Sequence, residues 1–251
     1  MANPNGYVIY DGPSMLDGSP IVVIVNCVER PSANQKTGGM LQTWVLRSDI
    51  HPSEAIANGD DESICGRCPR RHGVDGDCYV VERTIATIWR AYRRGAYPHL
   101  HEFRMFERYV IRLGSYGDPA AVPMELIADL VRHTRGHTAY THQWRTCDQR
   151  LRDWCMASTD SIDDLHDAKR LGWRSYRVRP THSTDRLPGE SICPGSADGE
   201  FKLTCIECMA CAGVGRGRRG DIVVSAHGTQ ASKFASANVA TLRGIPIRRA
   251  A

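Results

Sequence analysis

The sequence lacks long apolar runs. Its apolar stretches are short, as at 21–25, whereas a membrane-spanning helix needs roughly 20 consecutive apolar residues. No basic segment followed by an apolar one opens the chain, so we expect no secretory signal. Apolar residues still make up 41% of the 251 residues, which excludes wholesale disorder and allows a buried core. These features predict a soluble, intracellular protein with no membrane partner.

Lysine is also scarce. The chain has 4 lysines against 28 arginines, and its formal net charge is +4. The basic residues are spread along the sequence, whereas nucleic-acid-binding regions usually concentrate them on one face or in one block. The charge therefore permits a nucleic-acid partner without indicating one, and a small-molecule partner stays open too.

The pattern of elements predicts a single α/β domain in three parts. Residues 1–60 consist of short strands and turns, which we interpret as a β-rich N-terminal extension. Residues 61–228 alternate between strands and helices, as is typical of a parallel sheet with right-handed crossovers. Residues 229–251 are interpreted as a C-terminal tail. The predicted strands are 7–10, 20–25, 40–46, 109–113, 138–141, 154–157, 174–178 and 222–225, and the predicted helices are a short one after Pro52, then 80–94, 119–135, 147–152 and 162–171.

The positions of the polar residues favour a barrel over an open sheet. Polar or turn-forming clusters follow successive strands, as at 114–119, 141–142, 158–161 and 226–228. In a (β/α) barrel the functional groups gather at the carboxyl ends of all the strands, whereas an open sheet concentrates them at one switch point. The alternating region offers fewer strands than the eight of a complete barrel. We therefore predict an irregular or incomplete TIM-like (β/α) barrel with cysteine-rich loops.

Cysteine, by contrast, is abundant, with ten residues. In a reducing cytosol, spaced cysteines indicate metal binding rather than disulfides. The first group, C-x2-C-x9-C, comprises Cys65, Cys68 and Cys78, and the second, C-x11-C-x2-C-x2-C, comprises Cys193, Cys205, Cys208 and Cys211. The isolated Cys27, Cys147 and Cys155 are interpreted as small buried apolar residues.

The second cysteine group favours an iron–sulfur cluster. Its C-x2-C-x2-C run places three thiolates in one compact loop, as in bacterial ferredoxins. Cys193, which precedes Pro194, is the natural fourth ligand. Zinc remains the alternative, because tetrahedral four-thiolate sites share these spacings. We predict a 4Fe-4S cluster here, with zinc as the alternative.

The first cysteine group supplies only three thiolates. With His72 as fourth ligand it becomes a closed Cys3His zinc site. A residue distant in sequence is a second option. With no fourth protein ligand, the group would hold a second 4Fe-4S cluster with one iron open to a substrate or cofactor. The sequence leaves the three options open.

The order of several motifs carries a resemblance to a known family. The motifs are Ser63-Ile64-Cys65-Gly66-Arg67-Cys68-Pro69, Cys78-Tyr79, Leu113-Gly114-Ser115-Tyr116-Gly117-Asp118-Pro119, Tyr140-Thr141-His142, Cys193-Pro194, the cysteine triplet and Ala226-His227-Gly228. Together they resemble a family of bacteriophage proteins described after phage gene product 88, over nearly the whole chain. The resemblance implies a phage-encoded protein of the host cytoplasm, and it names no reaction.

A wider similarity is to radical S-adenosylmethionine enzymes. These combine a three-cysteine cluster before a helix, a partial (β/α) barrel and, in many members, an auxiliary cluster near the C-terminus. The chain departs from their usual C-x3-C-x2-C spacing. The similarity implies S-adenosylmethionine as a cofactor, and Gly117, Asp118 and Asp160 as candidate cofactor-binding residues.

Candidate catalytic residues follow the predicted strands. His142 and His227 both follow apolar strands, so a barrel would place them at its mouth, where imidazole binds metal or transfers protons. Asp118 and Asp160 precede helices and are interpreted first as N-caps. We take Asp118, His142 and His227 as the candidate catalytic set. Two functions stay open: an iron–sulfur enzyme, or a non-catalytic metal-stabilised protein that binds a host protein or nucleic acid.

Overall fold

The computed structural model of the chain describes residues 3–74, 76–181, 183–217, 220–227 and 231–234. Gly228 and most of the predicted tail 229–251 lie outside these ranges. Within them, no helix is long and apolar enough to cross a lipid bilayer.

The first sheet contains five strands in the order of the chain. The strands are β1 (Gly6–Pro13), β2 (Pro20–Asn26), β3 (Leu41–Arg47), β4 (Val110–Tyr116) and β5 (Gly136–Thr138). The first three form an antiparallel meander, which confirms the three N-terminal strands predicted from the sequence. Strand β4 pairs in parallel with both β3 and β5. The N-terminal strands are therefore part of the same sheet as the first crossover strands.

The second sheet is parallel throughout. It contains β6 (Tyr140–Thr141), β7 (Met156–Thr159), β8 (Ser175–Arg179), β9 (Glu190–Ile192) and β10 (Asp221–Ser225), in the order β6-β7-β8-β10-β9. Strand β9 was not expected from the sequence. It pairs with the edge of β10 that faces away from β8, so β10, the last described strand, lies between β8 and β9.

A single residue, Ala139, joins the two sheets. It separates β5 from β6, its N–H donates to the Cys211 carbonyl, and its carbonyl accepts from the N–H of Met156. The α/β class is thus confirmed as two parallel-rich sheets in succession. The described strands form no closed barrel, because no pairing links the outer strands β1 and β9.

In the described ranges, six α-helices and five short 3-10 helices connect the strands. The α-helices are α1 (Pro52–Asn58), α2 (Glu62–Cys65), α3 (Glu82–Arg93), α4 (Met124–Arg132), α5 (Ile162–Arg170) and α6 (Cys205–Cys208). The 3-10 helices are His72–Val74, Arg104–Phe106, Pro119–Ala121, Gln149–Asp153 and Val214–Arg216.

Two of the predicted helices differ from those observed. The helix predicted over 119–135 is split into a 3-10 turn and α4, because the extended backbone of Val122 and Pro123 interrupts it. The segment predicted as a helix over 147–152 is the 3-10 helix Gln149–Asp153, capped by the Asp148 side chain. The other predicted helices agree with α1, α3 and α5.

The buried apolar residues form two clusters of unequal size. The larger covers the first sheet and extends to Trp144, Leu151 and Trp173. The smaller lines the second sheet and consists of Met156, Cys193, Cys211, Ile222 and Val224. Two of its five members are thus cysteines of the second group, so this group is part of a hydrophobic core.

Candidate metal centres

Two ion pairs stabilise the loop that contains the first cysteine group. Cys65 ends α2, and the N–H of Cys68 donates to its carbonyl at 3.3 Å. Behind them, Asp61 binds the Arg71 guanidinium and accepts from the Gly73 N–H at 2.8 Å. Arg70 pairs with Asp77 at 2.8 Å. Buried polar contacts therefore fix the loop, in addition to the packing of Ile64 and Cys65 in the larger core.

The three thiols of this group lie close to one another. Burial, and then the neighbouring Cys68 and Cys78, raises the pKa of the Cys65 thiol well above its usual value. Burial likewise raises the pKa of Cys78 to about 11. Thiols with such pKa values stay protonated at neutral pH unless a cation binds them. A metal bound by Cys65, Cys68 and Cys78 would have to displace these protons.

Gln143 was missed by the sequence analysis and supports the turn between the first two cysteines. Its Nε2 donates to the Cys65 carbonyl at 3.0 Å, and its Oε1 accepts from the Arg67 N–H at 3.1 Å. Gly66 adopts a positive φ of 57°, and a Cβ there would lie 2.3 Å from the Gln143 side chain. Only glycine therefore fits at position 66.

His142 is the histidine that contacts the first group. Its imidazole interacts electrostatically with the neighbouring Cys68 thiol, and its Nε2 lies 3.4 Å from Asp160 Oδ2. Burial opposes its positive charge, but Cys68 and Asp160 outweigh burial and raise the pKa of His142 well above its usual value. The predicted position of His142 at a strand end thus places it beside a cysteine of the group.

His72, the fourth ligand considered from the sequence, faces other groups. Its Nε2 lies 2.8 Å from the Val80 carbonyl oxygen, and its Nδ1 lies 3.8 Å from Glu82 Oε1. Both ring nitrogens thus have partners in the following segment. The structure therefore favours His142 over His72 as the histidine of this group.

Asp160 orients His142. Its Oδ1 accepts from the Arg70 guanidinium at 2.7 and 3.1 Å, while its Oδ2 faces the imidazole. Despite its burial, His142 and Arg70 hold the pKa of Asp160 well below its usual range. An anionic carboxylate behind a histidine fixes the tautomer and orientation of the ring. Its predicted cofactor-binding role stays a prediction.

Asp118 joins three segments through the backbone. Its Oδ1 accepts from the Ala120 N–H and its Oδ2 from the His142 N–H, each at 2.9 Å, and its own N–H donates to the Ile64 carbonyl. It is the N-cap of the 3-10 turn after β4, as predicted. Burial raises its pKa, although these hydrogen bonds oppose the increase. Its catalytic and cofactor-binding roles stay predictions.

Gly117 allows β3 to approach the first group. It has a φ of 80°, and a Cβ there would lie 2.6 Å from the Cβ of Val45. The close packing explains the glycine without a cofactor, and its cofactor-binding role stays a prediction.

The second cysteine group surrounds one cavity. Cys193 follows β9 and donates its N–H to Val223 at 2.8 Å, while Cys205 begins α6 and donates its N–H to Lys36 at 2.8 Å. The Thr204–Glu207 capping box fixes the start of α6. All four cysteines line this cavity, together with Thr138, Pro194, Gly195, Leu203, Thr204, Met209, Ala210 and Ile222.

The chemistry of this donor set fits a thiolate-bound metal group. Burial raises the pKa of Cys211 to about 12; the other three thiols raise it further, while a hydrogen bond from Tyr140 opposes the increase. If the four cysteines bound as thiolates, the positive charge of the metal group would offset their repulsion. As the side chains stand, no three His, Cys, Asp or Glu residues of the described ranges are placed around a single metal ion.

His227 lies near the second group and not beside His142. Its Nε2 is 3.3 Å from Lys36 Nζ, and its Nδ1 is 3.0 Å from the Ser225 carbonyl oxygen. Burial and Lys36 lower its pKa. The sequence predicted that Asp118, His142 and His227 form one catalytic set at the mouth of a barrel. The structure joins Asp118 to His142, whereas the contacts described for His227 lead to Lys36 and Ser225.

Two of the isolated cysteines pack against apolar neighbours, as predicted, whereas Cys27 is half-buried and its thiol donates to Asn26 Oδ1 at 3.3 Å. Cys155 is fully buried in the larger core, and Cys147 packs against the same core. Burial raises the pKa of Cys147 to about 12 and that of Cys27 to about 11. These thiols are therefore unreactive at neutral pH.

No protein-family model matches the chain, and no curated protein or solved structure matches it either.

Proposed function

We propose that the chain is an iron–sulfur protein, encoded by a bacteriophage and acting in the host cytoplasm, with two cysteine-bound centres on a partial TIM-like barrel. The observation that carries the proposal is the shared cavity lined by Cys193, Cys205, Cys208 and Cys211. Four thiols in that arrangement are the ligand set of a cubane cluster. When bound, such a cluster supplies one-electron transfer.

The first centre would be held by Cys65, Cys68 and Cys78, with His142 as the fourth group. Support comes from the contact between His142 and Cys68 and from Asp160 behind the ring. Metal-binding histidines usually have such a carboxylate partner. In this arrangement the protein positions His142 through its backbone bond to Asp118 and orients its ring through Asp160.

A radical S-adenosylmethionine enzyme is the second candidate function. It is favoured by the position of the first group: Asp118 follows β4, His142 follows β6 and Asp160 follows β7. The carboxyl ends of parallel strands are where barrel enzymes place their chemistry. In that case His142 would not be a metal ligand, and one coordination position of the metal would be open to S-adenosylmethionine. The remaining alternative is a zinc- or cluster-stabilised protein that binds a host protein or nucleic acid.

Iron content after anaerobic purification tests the first proposal. We expect a brown protein with about four iron and four sulfide per occupied cluster, whose visible absorbance dithionite bleaches. Cys208→Ser should lose one cluster and much of the soluble yield, because ligation free energy is also folding free energy. Cys155→Ser is the matched control and should keep its iron. Colourless protein with stoichiometric zinc would overturn the cluster assignment.

Incubation of the metal-loaded protein with S-adenosylmethionine and dithionite distinguishes the radical-enzyme hypothesis from the binding-protein hypothesis. Production of methionine and 5′-deoxyadenosine, measured by mass spectrometry, would support the radical enzyme. A fully loaded wild-type protein that gives neither product would support the binding protein instead.

A further inference from the structure

An arginine without a carboxylate partner lies between the two cysteine groups. Arg112 is on β4, and its Nη2 contacts the hydroxyl of Tyr79, the residue after Cys78. Its guanidinium carbon lies 5.7 Å from the centre of the same ring. On the other side, the Cys205 thiol, Tyr140 and Tyr176 are its electrostatic neighbours. Arg112 thus connects the surroundings of both groups.

The buried arginines have anionic or carbonyl partners. Arg71 pairs with Asp61, and Arg177 pairs with Glu190 and Asp185. Arg179 pairs with Asp198, whereas Arg174 donates to three backbone carbonyls. In the part of the chain that the structure describes, Arg112 forms no ion pair, and its buried Nε has no hydrogen-bond acceptor. Arg112 is half-buried, and a guanidinium with a buried, unsatisfied Nε and no ion-pair partner is destabilised unless a counter-ion binds.

Two further basic groups face the same region. Arg112 and Lys36 are both electrostatic neighbours of Cys205 and of His227. Asp198 is the acidic neighbour of His227, and it is already paired with Arg179. Tyr79, which contacts the guanidinium, is 54% exposed, and Arg112 itself is half-buried. The local charge is therefore positive and lies at a partly exposed position.

We propose that Arg112, with Lys36 and His227, forms a binding site for the carboxylate or phosphate group of a small molecule. A guanidinium binds such planar or tetrahedral oxyanions through paired N–H donors, which would give the Arg112 Nε its missing acceptor. Tyr79 forms one wall of the site. The inference does not require metal in either cysteine group.

Titration of the purified full chain with inorganic phosphate and, separately, benzoate tests the proposal by calorimetry at constant ionic strength. We expect saturable binding of at least one probe, and the two arms distinguish phosphate from carboxylate ligands. Arg112→Gln should weaken that binding about tenfold or more, because a charge-assisted hydrogen-bond pair is lost. Arg83→Gln on the exposed side of α3 is the matched control and should bind like the wild type.

Iron content is measured on every variant. If Arg112→Gln keeps its iron but no longer binds the probe, the result supports the proposed site. Absence of saturable binding to the wild type, or equal binding by Arg112→Gln, would overturn it. Loss of iron together with the probe would also overturn it, since Arg112 would then be a counter-charge for the cysteine group. If Arg112→Gln does not fold, Lys36→Gln decides: weaker binding supports the site, and unchanged binding contradicts it.

Discussion

Single residues of the first centre could be named from the sequence, but their contacts could not. The spacing of Cys65, Cys68 and Cys78 and the strand-end position of His142 were visible in the chain. His72 was the nearer candidate in sequence, yet it contacts Val80 and Glu82. The contact between His142 and Cys68 depends on how β6 ends beside α2, which no local pattern specifies.

We expect His142→Ala to lose metal from the first centre, whereas His72→Ala should keep it. His142 is an electrostatic neighbour of Cys68, and Asp160 orients its ring. The substitution therefore removes a metal donor and leaves the Asp160 carboxylate without its imidazole partner. Metal per chain and the visible spectrum measure the outcome. Full metal content in His142→Ala together with loss in His72→Ala would show that His72, one of the three options left open by the sequence, is the fourth ligand.

Among the elements, the long and strongly patterned ones were predictable and the shortest ones were not. Strands such as β2 carry an uninterrupted apolar run. Strand β9, by contrast, has three residues and begins with a buried glutamate, a residue type that argues against a strand. Its place is explained by Glu190, whose two oxygens accept from the Arg177 guanidinium at 2.6 and 2.7 Å. A tertiary ion pair therefore determines this element, which leads into Cys193.

Glu190→Ala should lower the free energy of unfolding by roughly 3 kcal/mol, the lower end expected for breaking a buried pair. The lower end applies because Arg177 keeps Asp185 at 2.8 Å. Urea denaturation measures the change. Arg170→Ala, which removes an exposed pair with Asp167, is the control and should change the stability by less than about 1 kcal/mol. Equal effects of the two substitutions would contradict a structural role for Glu190.

At the scale of the whole molecule, the α/β class followed from alternating strands and helices, but the division into two sheets did not. The sequence showed one strand over 138–141, and nothing in it marked Ala139 as the point where one sheet ends and the next begins. The break between the sheets depends on Cys211, whose carbonyl accepts a hydrogen bond from the N–H of Ala139. The loop of the second cysteine group thereby takes part in the joint between the sheets.

This arrangement predicts that metal removal loosens the two sheets unequally. The first sheet is packed by a large apolar cluster with no member from the second cysteine group, whereas the smaller cluster contains Cys193 and Cys211. Because ligation contributes folding free energy, stripping metal with a chelator and an oxidant should speed amide hydrogen exchange in β9 and β10. Exchange in β2 and β3 should stay slow. Cys208→Ser, compared with loaded wild type by mass spectrometry, should reproduce this pattern without chemical treatment. Faster exchange spread evenly over both sheets would contradict the prediction and mean that the metal stabilises the whole fold. The separate cores argue against that outcome, because β2 and β3 bury their side chains independently of the second cysteine group.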